Sequence, residues 1–187
     1  MKKRLLLTGI ILVIIAGFVV GANAYKPETP QVTQAPVRVV KTPEKAPEKP
    51  TPPTRDELLK LVNEERAKVG VAPLVIDDRL NWSAQKKADD MREYGYFGHV
   101  SPERSPYAGM HGYMFIGETD AGCVVGSENI RWTPIDNTTT VSVVNGWVDS
   151  EPHYKSMTSQ DYSITGISIA TDETSEKHYF VQHFCQS

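Results

Sequence analysis

The fold of this chain is decided by two runs near its C-terminus, Ile164-Thr165-Gly166-Ile167-Ser168-Ile169 and His178-Tyr179-Phe180-Val181-Gln182-His183-Phe184. Side chains alternate in both runs with a period of two, which is the pattern of β-strands. The polar residues from Thr171 to Glu176 predict a turn between them, so we expect an antiparallel hairpin. Because successive side chains of a strand point to opposite faces, His178 and His183 cannot both point into one site.

Two amphipathic helices are predicted well before this hairpin. The first follows Thr54-Arg55-Asp56-Glu57, a capping box in which the Thr hydroxyl and the Glu carboxylate satisfy the first helical amides. Apolar residues then recur at helical spacing until Gly70 ends the helix. The second helix is expected to begin at Asp77-Asp78 and to end near Gly95, with its apolar residues on one face.

Two shorter helices are predicted closer to the hairpin. One begins at Thr140, and the other is capped by Ser150 and carries Pro152 in its first turn, where proline is tolerated. The glycine-rich segment from Tyr96 to Ser127 has no clear period and is expected to be largely loop. Helices combined with a short C-terminal sheet indicate an α+β fold, in which helices pack on an antiparallel sheet.

The N-terminal segment predicts export from the cytoplasm. Met1-Lys2-Lys3-Arg4 is basic, residues 5–20 are apolar, and Ala22-Asn23-Ala24 has the small residues of a cleavage site. Residues 1–24 are therefore expected to be a signal peptide cleaved after Ala24 or an uncleaved membrane anchor, with residues 5–22 in the membrane. Both alternatives make the rest of the chain extracytoplasmic, either secreted or attached to the cell membrane.

Composition divides the remaining chain into a linker over residues 25–54 and a domain over residues 55–187. The linker holds eight of the 13 prolines, with alternating Lys and Glu, and cannot build a sheet or core. We interpret it as an extended stalk; a solvated tail without a role is the alternative. The domain has 12 basic and 20 acidic residues, a net charge of about −8. Nucleic acid is therefore not an expected partner, and membrane contact is expected only through the N-terminal segment.

The domain contains two cysteines, Cys123 and Cys185. An exported domain with an even cysteine count favours a disulfide, which here would close a loop of about 60 residues. Two free buried thiols are the alternative.

Three runs place polar groups among apolar anchors: Phe97-Gly98-His99, Glu128-Asn129-Ile130 and Trp147-Val148-Asp149-Ser150-Glu151-Pro152-His153. Side chains in such settings lie at the edge of a packed core. If they converge, they form a small polar or metal-binding cleft made of His99, Glu128, Asn129, Ser150 and His153.

Six motifs follow one another along the domain. They are Leu61-Val62-Asn63-Glu64-Glu65-Arg66 with Pro73-Leu74 and Asp78-Arg79-Leu80, Phe97-x-His99-x-Ser101-Pro102, Glu128-Asn129-Ile130, Trp147-x-x-Ser150-x-Pro152-His153, Gly166-Ile167 and Tyr179-Phe180-Val181-Gln182-x-Phe184. Each motif is weak alone, but the ordered series resembles the CAP (SCP-like) superfamily of cysteine-rich secretory, antigen and pathogenesis-related proteins, in its short bacterial form. The resemblance implies an α-β-α sandwich.

The resemblance also implies a cavity in which two histidines and two glutamates can hold a divalent cation. His99 and Glu128 match the first histidine and the Gly-Glu-Asn glutamate, whereas Ser150 stands where the second glutamate is expected. The run that carries the second histidine is missing, and His153 could take its place. His99, Glu128 and His153 could then supply three ligands to Zn²⁺ or Ca²⁺. The alternative is a buried polar cluster in which the two histidines share hydrogen bonds with Glu128, while Asn129 ties loop backbone.

These observations support three functional hypotheses. The first is a non-enzymatic surface or secreted binding module, whose acidic cleft takes a cation, a cell-wall glycan, or a small apolar ligand such as a lipid, or contacts another surface protein. The second is a metal-assisted hydrolase in which His99, Glu128 and His153 act on a peptide or cell-wall substrate. The third is a structural wall or coat component. The common serine-hydrolase and zinc-protease motifs are absent from the sequence, so no catalytic residue is assigned.

Overall fold

The computed structural model describes residue 21 and residues 51–186. The predicted signal peptide or anchor, apart from Gly21, and the predicted linker up to residue 50 lie outside the described residues. Within the described part of the chain, no helix is long and apolar enough to cross a membrane.

The described residues contain five helices: the four that the sequence predicts and a short one, third in chain order, in the segment that was expected to be largely loop. They are α1 (Arg55–Lys68), α2 (Asp78–Glu93), α3 (Met114–Gly117), α4 (Thr140–Val148) and α5 (Glu151–Thr158). The capping box before α1 is confirmed, since Thr54 Oγ1 accepts from Glu57 N and Thr54 N donates to Glu57 Oε2. Asp77 caps α2. Ser150 occupies the N-cap position of α5, as predicted, but its hydroxyl makes no capping hydrogen bond.

The sheet has four strands in the order β1-β3-β4-β2. They are β1 (Val75–Ile76), β2 (Val125–Pro134), β3 (Ile164–Asp172) and β4 (Lys177–Gln186). The antiparallel β3–β4 hairpin is confirmed, and β1 adds a short parallel pair to β3. Strand β2 was not predicted, because Glu128, Asn129 and Arg131 interrupt its apolar pattern. Its ten residues are extended because β4 supplies an antiparallel partner along their whole length.

Helices cover both faces of the sheet, which makes the domain the predicted α-β-α sandwich. On one face, Ala84, Ala88 and Met91 of α2 pack against apolar residues that include Ile130 and Val181. On the other face, α1, α4 and α5 surround a core that contains Trp147, Phe180 and Phe184. Glu128 and Ile130 of β2 therefore point towards α2, whereas Asn129 points towards α4 and α5.

Helix α2 lies directly on β3 because the strand carries a glycine at the contact. A Cβ atom added at Gly166 would lie 2.0 Å from the carbonyl carbon of Leu80. Two hydrogen bonds fix this contact: Ile167 N donates to Asn81 Oδ1 (2.9 Å), and Ser168 Oγ donates to Asn81 O (2.9 Å). Strand β1 is only two residues long and does not extend as far as Ile167. The Asn81 side chain therefore supplies the acceptor for Ile167 N.

The predicted disulfide is confirmed between Cys123 and Cys185, whose Cα atoms are 5.5 Å apart and which are separated by 62 residues in sequence. It ties the end of the long loop to the end of β4, directly before β2 begins. The start of β2, which carries Glu128, is thus fixed covalently to its neighbouring strand.

Candidate functional site

The candidate site is a chain of hydrogen bonds centred on Glu128. His99 Nδ1 lies 2.8 Å from Glu128 Oε1, and His183 Nε2 lies 3.1 Å from Glu128 Oε2. His183 Nδ1 in turn lies 2.7 Å from Ser83 Oγ. The site therefore joins β2, β4, α2 and the long loop, and only its His99 end reaches solvent: the His99 side chain is 49% exposed, against 2% for Glu128 and 0% for His183.

Strand register places His183 beside Glu128. The two residues are directly paired across β2 and β4, and both side chains point to the α2 face. Sequence reasoning did not place His183 in the site. The alternation of β4 correctly separated it from His178, which instead contacts Thr171 Oγ1 at 2.8 Å. The sequence offered no signal for the partner of His183, because β2 was not predicted.

Glu128 is held in its charged form by its neighbours. Burial disfavours the carboxylate, but hydrogen bonds from His183 and His99, together with the charges of His183 and Lys87, outweigh it and lower the pKa of Glu128. A carboxylate only accepts hydrogen bonds, so the two imidazole nitrogens that face it both carry protons. A neutral His99 ring therefore keeps its lone pair on Nε2, the nitrogen that is turned away from Glu128.

Two charged residues of α2 hold the loop that carries His99. Lys87, which is fully buried, donates from Nζ to Tyr96 Oη (2.9 Å) and to His99 O (3.2 Å). Burial lowers the pKa of Lys87, while the charges of Glu128 and Asp90 act in the opposite direction. Lys87 thus fixes the backbone of His99, and it lies about one helical turn before Asp90 on α2.

Asp90 is the second anchor of this loop. Its carboxylate accepts hydrogen bonds from Tyr96 Oη, from Ser101 Oγ (2.7 Å) and from Ser105 Oγ (2.5 Å). Three hydroxyls from one loop thereby converge on a single buried acid of α2. Ser101, which is adjacent in sequence to the His99 segment, is buried and donates its hydroxyl proton to Asp90.

The backbone of Gly112 lies against the Glu128 carboxylate and completes its enclosure. Gly112 N donates to His99 O at 2.7 Å, and a Cβ added at Gly112 would lie 1.7 Å from Glu128 Oε2. The glycine allows the loop to cover the carboxylate. Water is kept from one side of Glu128 by this contact and from the other side by the imidazoles.

His153 lies beside His99 but does not bind Glu128. The two imidazole centroids are 6.2 Å apart, and no hydrogen bond joins His153 to the carboxylate. Burial, followed by the charges of His99 and Arg131, lowers the pKa of His153. His153 therefore borders the site at the start of α5, next to the exposed His99 ring.

Two other predicted cleft residues have different positions. Asn129 is fully buried on the opposite face of the sheet, where its Nδ2 donates to His153 O (3.0 Å). It ties backbone, as predicted, but it ties the first turn of α5 and does not line the His99 cleft. Ser150 precedes α5 as its N-cap and makes no hydrogen bond to the Glu128 cluster.

Of the three residues proposed as cation ligands, His99 forms a hydrogen bond with Glu128, whereas His153 does not. Each oxygen of Glu128 accepts from one imidazole, and the His153 ring lies beside His99 with the centroids 6.2 Å apart. Across residues 51–186, no group of three or more His, Cys, Asp or Glu side chains is arranged to hold a metal ion. The geometry matches the predicted alternative of a buried polar cluster, with His183 in the position that the sequence assigned to His153.

Exposed apolar side chains occur on the two loop stretches whose backbones meet at His99 and Gly112. Phe97, Val100, Tyr113 and Met114 are between 44% and 48% exposed. Val100 forms a β-bridge with His111, whose ring stacks on Tyr113 with centroids 5.5 Å apart. We call Phe97, Val100, Tyr113 and Met114 the apolar rim.

Comparisons with known proteins agree on one family. The model of CAP, the cysteine-rich secretory protein family, matches residues 59–184. The uncharacterized protein YkwD of Bacillus subtilis strain 168 is 35% identical over 112 residues, which are 59% of this chain. The chain spans only 40% of the length of that relative.

Two solved structures share the fold. An outer surface protein from Borrelia burgdorferi superposes with a TM-score of 0.61 at 21% identity, over 74% of this chain and 98% of that protein. An extracellular protein with an SCP domain from Bacillus anthracis gives a TM-score of 0.58 at 21% identity, over 74% of this chain and 45% of that protein.

Proposed function

This chain belongs to the cysteine-rich secretory protein (CAP) family, and from that premise we propose that it is an extracytoplasmic, non-enzymatic binding module. The ligand that we propose is a small amphipathic molecule, which rests on the apolar rim and directs a polar group to His99. The observation that carries the proposal is the asymmetry of the Glu128 cluster: the carboxylate is buried with one imidazole on each oxygen, and of these two imidazoles only His99 faces solvent.

The burial of Glu128 and the imidazole on each of its oxygens favour binding over hydrolysis. A general base must reach the proton that it removes, but both oxygens of this carboxylate are engaged by imidazoles and covered by the loop at Gly112. Glu128 instead orients the His99 ring, since its hydrogen bond holds Nδ1 and directs Nε2 outwards. Neither Ser101 nor Ser83 is exposed for nucleophilic attack.

The chemistry of the rim supports an apolar ligand with one polar end. Exposed apolar patches on a soluble domain are typical of ligand-binding sites, and few well-placed polar groups fix the orientation of the ligand. Because Nδ1–H is held by Glu128, the outward Nε2 of His99 accepts from a hydroxyl when the ring is neutral and donates to a carboxylate when the ring is protonated. Medium-chain fatty acids combine these features.

The extracytoplasmic location rests on three supports. The N-terminal segment predicts export, the Cys123–Cys185 disulfide is typical of oxidising compartments, and the two relatives of known structure are described as an outer surface and an extracellular protein.

The proposal is tested by titrating the isotope-labelled full chain with octanoate and following backbone amides by NMR. We expect saturable shifts at His99 and the rim, with affinity reduced at least tenfold in His99→Ala and in Phe97→Ala. Val141→Ala, which removes an exposed apolar side chain from α4, is the matched control and should bind as wild type does. Equal octanoate affinity in all four proteins would sink the proposal.

The same kind of variants also tests the two alternative functions, cation binding and hydrolysis. Calorimetry with Zn²⁺ and Ca²⁺ tests the cation: no heat with wild type, or unchanged heat in His99→Ala, removes it. Chelator-sensitive cleavage of peptidoglycan that is lost in His99→Ala, Glu128→Gln or His153→Ala would establish the hydrolase in place of the binding module.

A further inference from the structure

We infer a second binding site, for a neutral sugar ring, at the far end of β2. A pocket of about 240 Å³ opens there between the end of β2, the 3-10 turn Ile135–Asn137 and the β3–β4 turn. Trp132, Asp136, Glu176 and Lys177 line it. Trp132 lies four residues beyond Glu128, which is roughly 13 Å along the strand. None of the residues that line the pocket belongs to the His99 site.

The floor of this site is the Trp132 ring. The residue is 41% exposed, and Lys177 Nζ lies 4.9 Å from the ring centroid. The part of the aromatic ring that Lys177 leaves uncovered offers an apolar surface to one side of a sugar ring, whose axial C–H groups are apolar. Lys177 leaves a donor at the rim of the same pocket.

The polar groups of the pocket fit hydroxyls. Within residues 51–186, neither the Asp136 nor the Glu176 carboxylate forms a hydrogen bond or an ion pair, and ionised carboxylates accept up to four hydrogen bonds each. Two free acceptors and one ammonium donor around an aromatic face make a mixed set, which matches a neutral polyol.

The backbone of Glu176 adopts a conformation that is strained for a residue with a side chain. Glu176 has φ 53°, in the left-handed region that glycine adopts without strain, and it is the only non-glycine residue in that region among the described residues. Its carbonyl accepts from Ile135 N (3.1 Å), which fixes the turn against β2. The Glu176 carboxylate is therefore presented to the pocket by a turn whose backbone is fixed against β2.

Charge selects among possible ligands. The two carboxylates repel anions, which disfavours phosphate-bearing polymers. A cationic ligand would meet the Lys177 ammonium, which already lies over the ring. The neutral sugar is the class that these groups accommodate without an unpaired charge.

The test is NMR titration of the full chain with the tetramer of N-acetylglucosamine, following the Trp132 indole N–H. We expect saturable shifts that Trp132→Ala weakens at least tenfold. Trp82→Ala is the matched control, because Trp82 is 47% exposed and is also covered by a lysine, Lys86, at 4.3 Å. Octanoate binding at the rim should be unchanged in Trp132→Ala, which separates this inference from the proposed function.

The Glu176→Gly variant gives a second test, in which sugar affinity and thermal stability should change in opposite directions. It removes the carboxylate and relieves the backbone, so sugar affinity should fall at least tenfold while the melting temperature rises by about 2–4 °C. Three results would overturn the inference: no saturable shift at millimolar sugar, unchanged affinity in both Trp132→Ala and Glu176→Gly, or tighter binding of lysine amide than of the sugar.

Discussion

At the scale of single residues, the Glu128 cluster is a buried charge whose hydrogen bonds are all satisfied. Leaving a buried acceptor unpaired costs about 1–3 kcal/mol, and more for a charge. Here His99 and His183 pair with one carboxylate oxygen each, and Lys87 adds a nearby positive charge. The cluster therefore stabilises the joint between strands and loop, whatever ligand His99 meets.

The lowered pKa values predict that acid destabilises the domain in two steps. A pKa that is lower in the folded than in the unfolded state means that protonation favours unfolding. The stabilising contribution of His153 is therefore lost as the pH falls below its ordinary pKa of 6.5, and that of Glu128 as the pH falls below 4.5.

Urea unfolding of wild type and variants between pH 8 and pH 4 measures this effect. His153→Gln should lose less stability than wild type between pH 6.5 and pH 5. Glu128→Gln should be less stable at pH 7 by about 1–3 kcal/mol, because one imidazole N–H loses its acceptor. Parallel stability curves for wild type and both variants would contradict the assigned pKa directions.

At the scale of elements, the contact between α2 and β3 depends on the missing side chain at position 166. Backbone atoms of Leu80 and Asn81 occupy the space that a Cβ would need, and backbone cannot yield as the end of a flexible side chain can. We expect Gly166→Ala to destabilise the domain by about 3 kcal/mol or more, since α2 must shift away from the sheet.

Gly117→Ala is the matched control for this prediction. Gly117 ends α3, and no atom lies within 4 Å of an added Cβ, so the substitution should leave stability unchanged or raise it by less than about 1 kcal/mol. Denaturant midpoints of the two variants measure the difference. A similar midpoint for both would show that α2 does not rest on the strand as described.

The elements also show which parts of the fold could be read from local sequence. Thr54 and Asp77 cap helices as predicted, because a cap depends on residues within one turn. The β3–β4 hairpin followed from alternation and a polar turn. Strand β2 was missed, because its buried polar residues Glu128 and Asn129 hide the alternation, and only its partner β4 makes it a strand.

At the scale of the whole molecule, the Cys123–Cys185 disulfide joins the loop that covers the site to the central strand β4. A bond that closes a loop of 62 residues stabilises by roughly 4 kcal/mol in the chain-entropy model. We expect reduction, or the paired substitution of Cys123→Ser with Cys185→Ala, to lower the free energy of unfolding by about that amount.

Calorimetric unfolding of oxidised, reduced and substituted protein measures the disulfide contribution. The substituted protein is the control for reduction, since it should be insensitive to reductant. The His99 and Glu128 resonances should also broaden after reduction, because Cys123 directly precedes β2. Equal stability of all forms would mean that the bond does not restrain the described fold.

The starts of α1 and α2, the C-terminal hairpin, the cysteine pair and the resemblance to the CAP family could all be predicted from the sequence, because each depends on short-range pattern or on motif order. Which histidine meets Glu128 could not, because it depends on contacts between distant parts of the chain. His99 arrives on a loop held by Lys87 and Asp90, and His183 arrives through the register of β4 against β2. That register pairs residues 55 positions apart, and no local pattern encodes it, since pairing across a sheet is fixed by the packing of both faces at once.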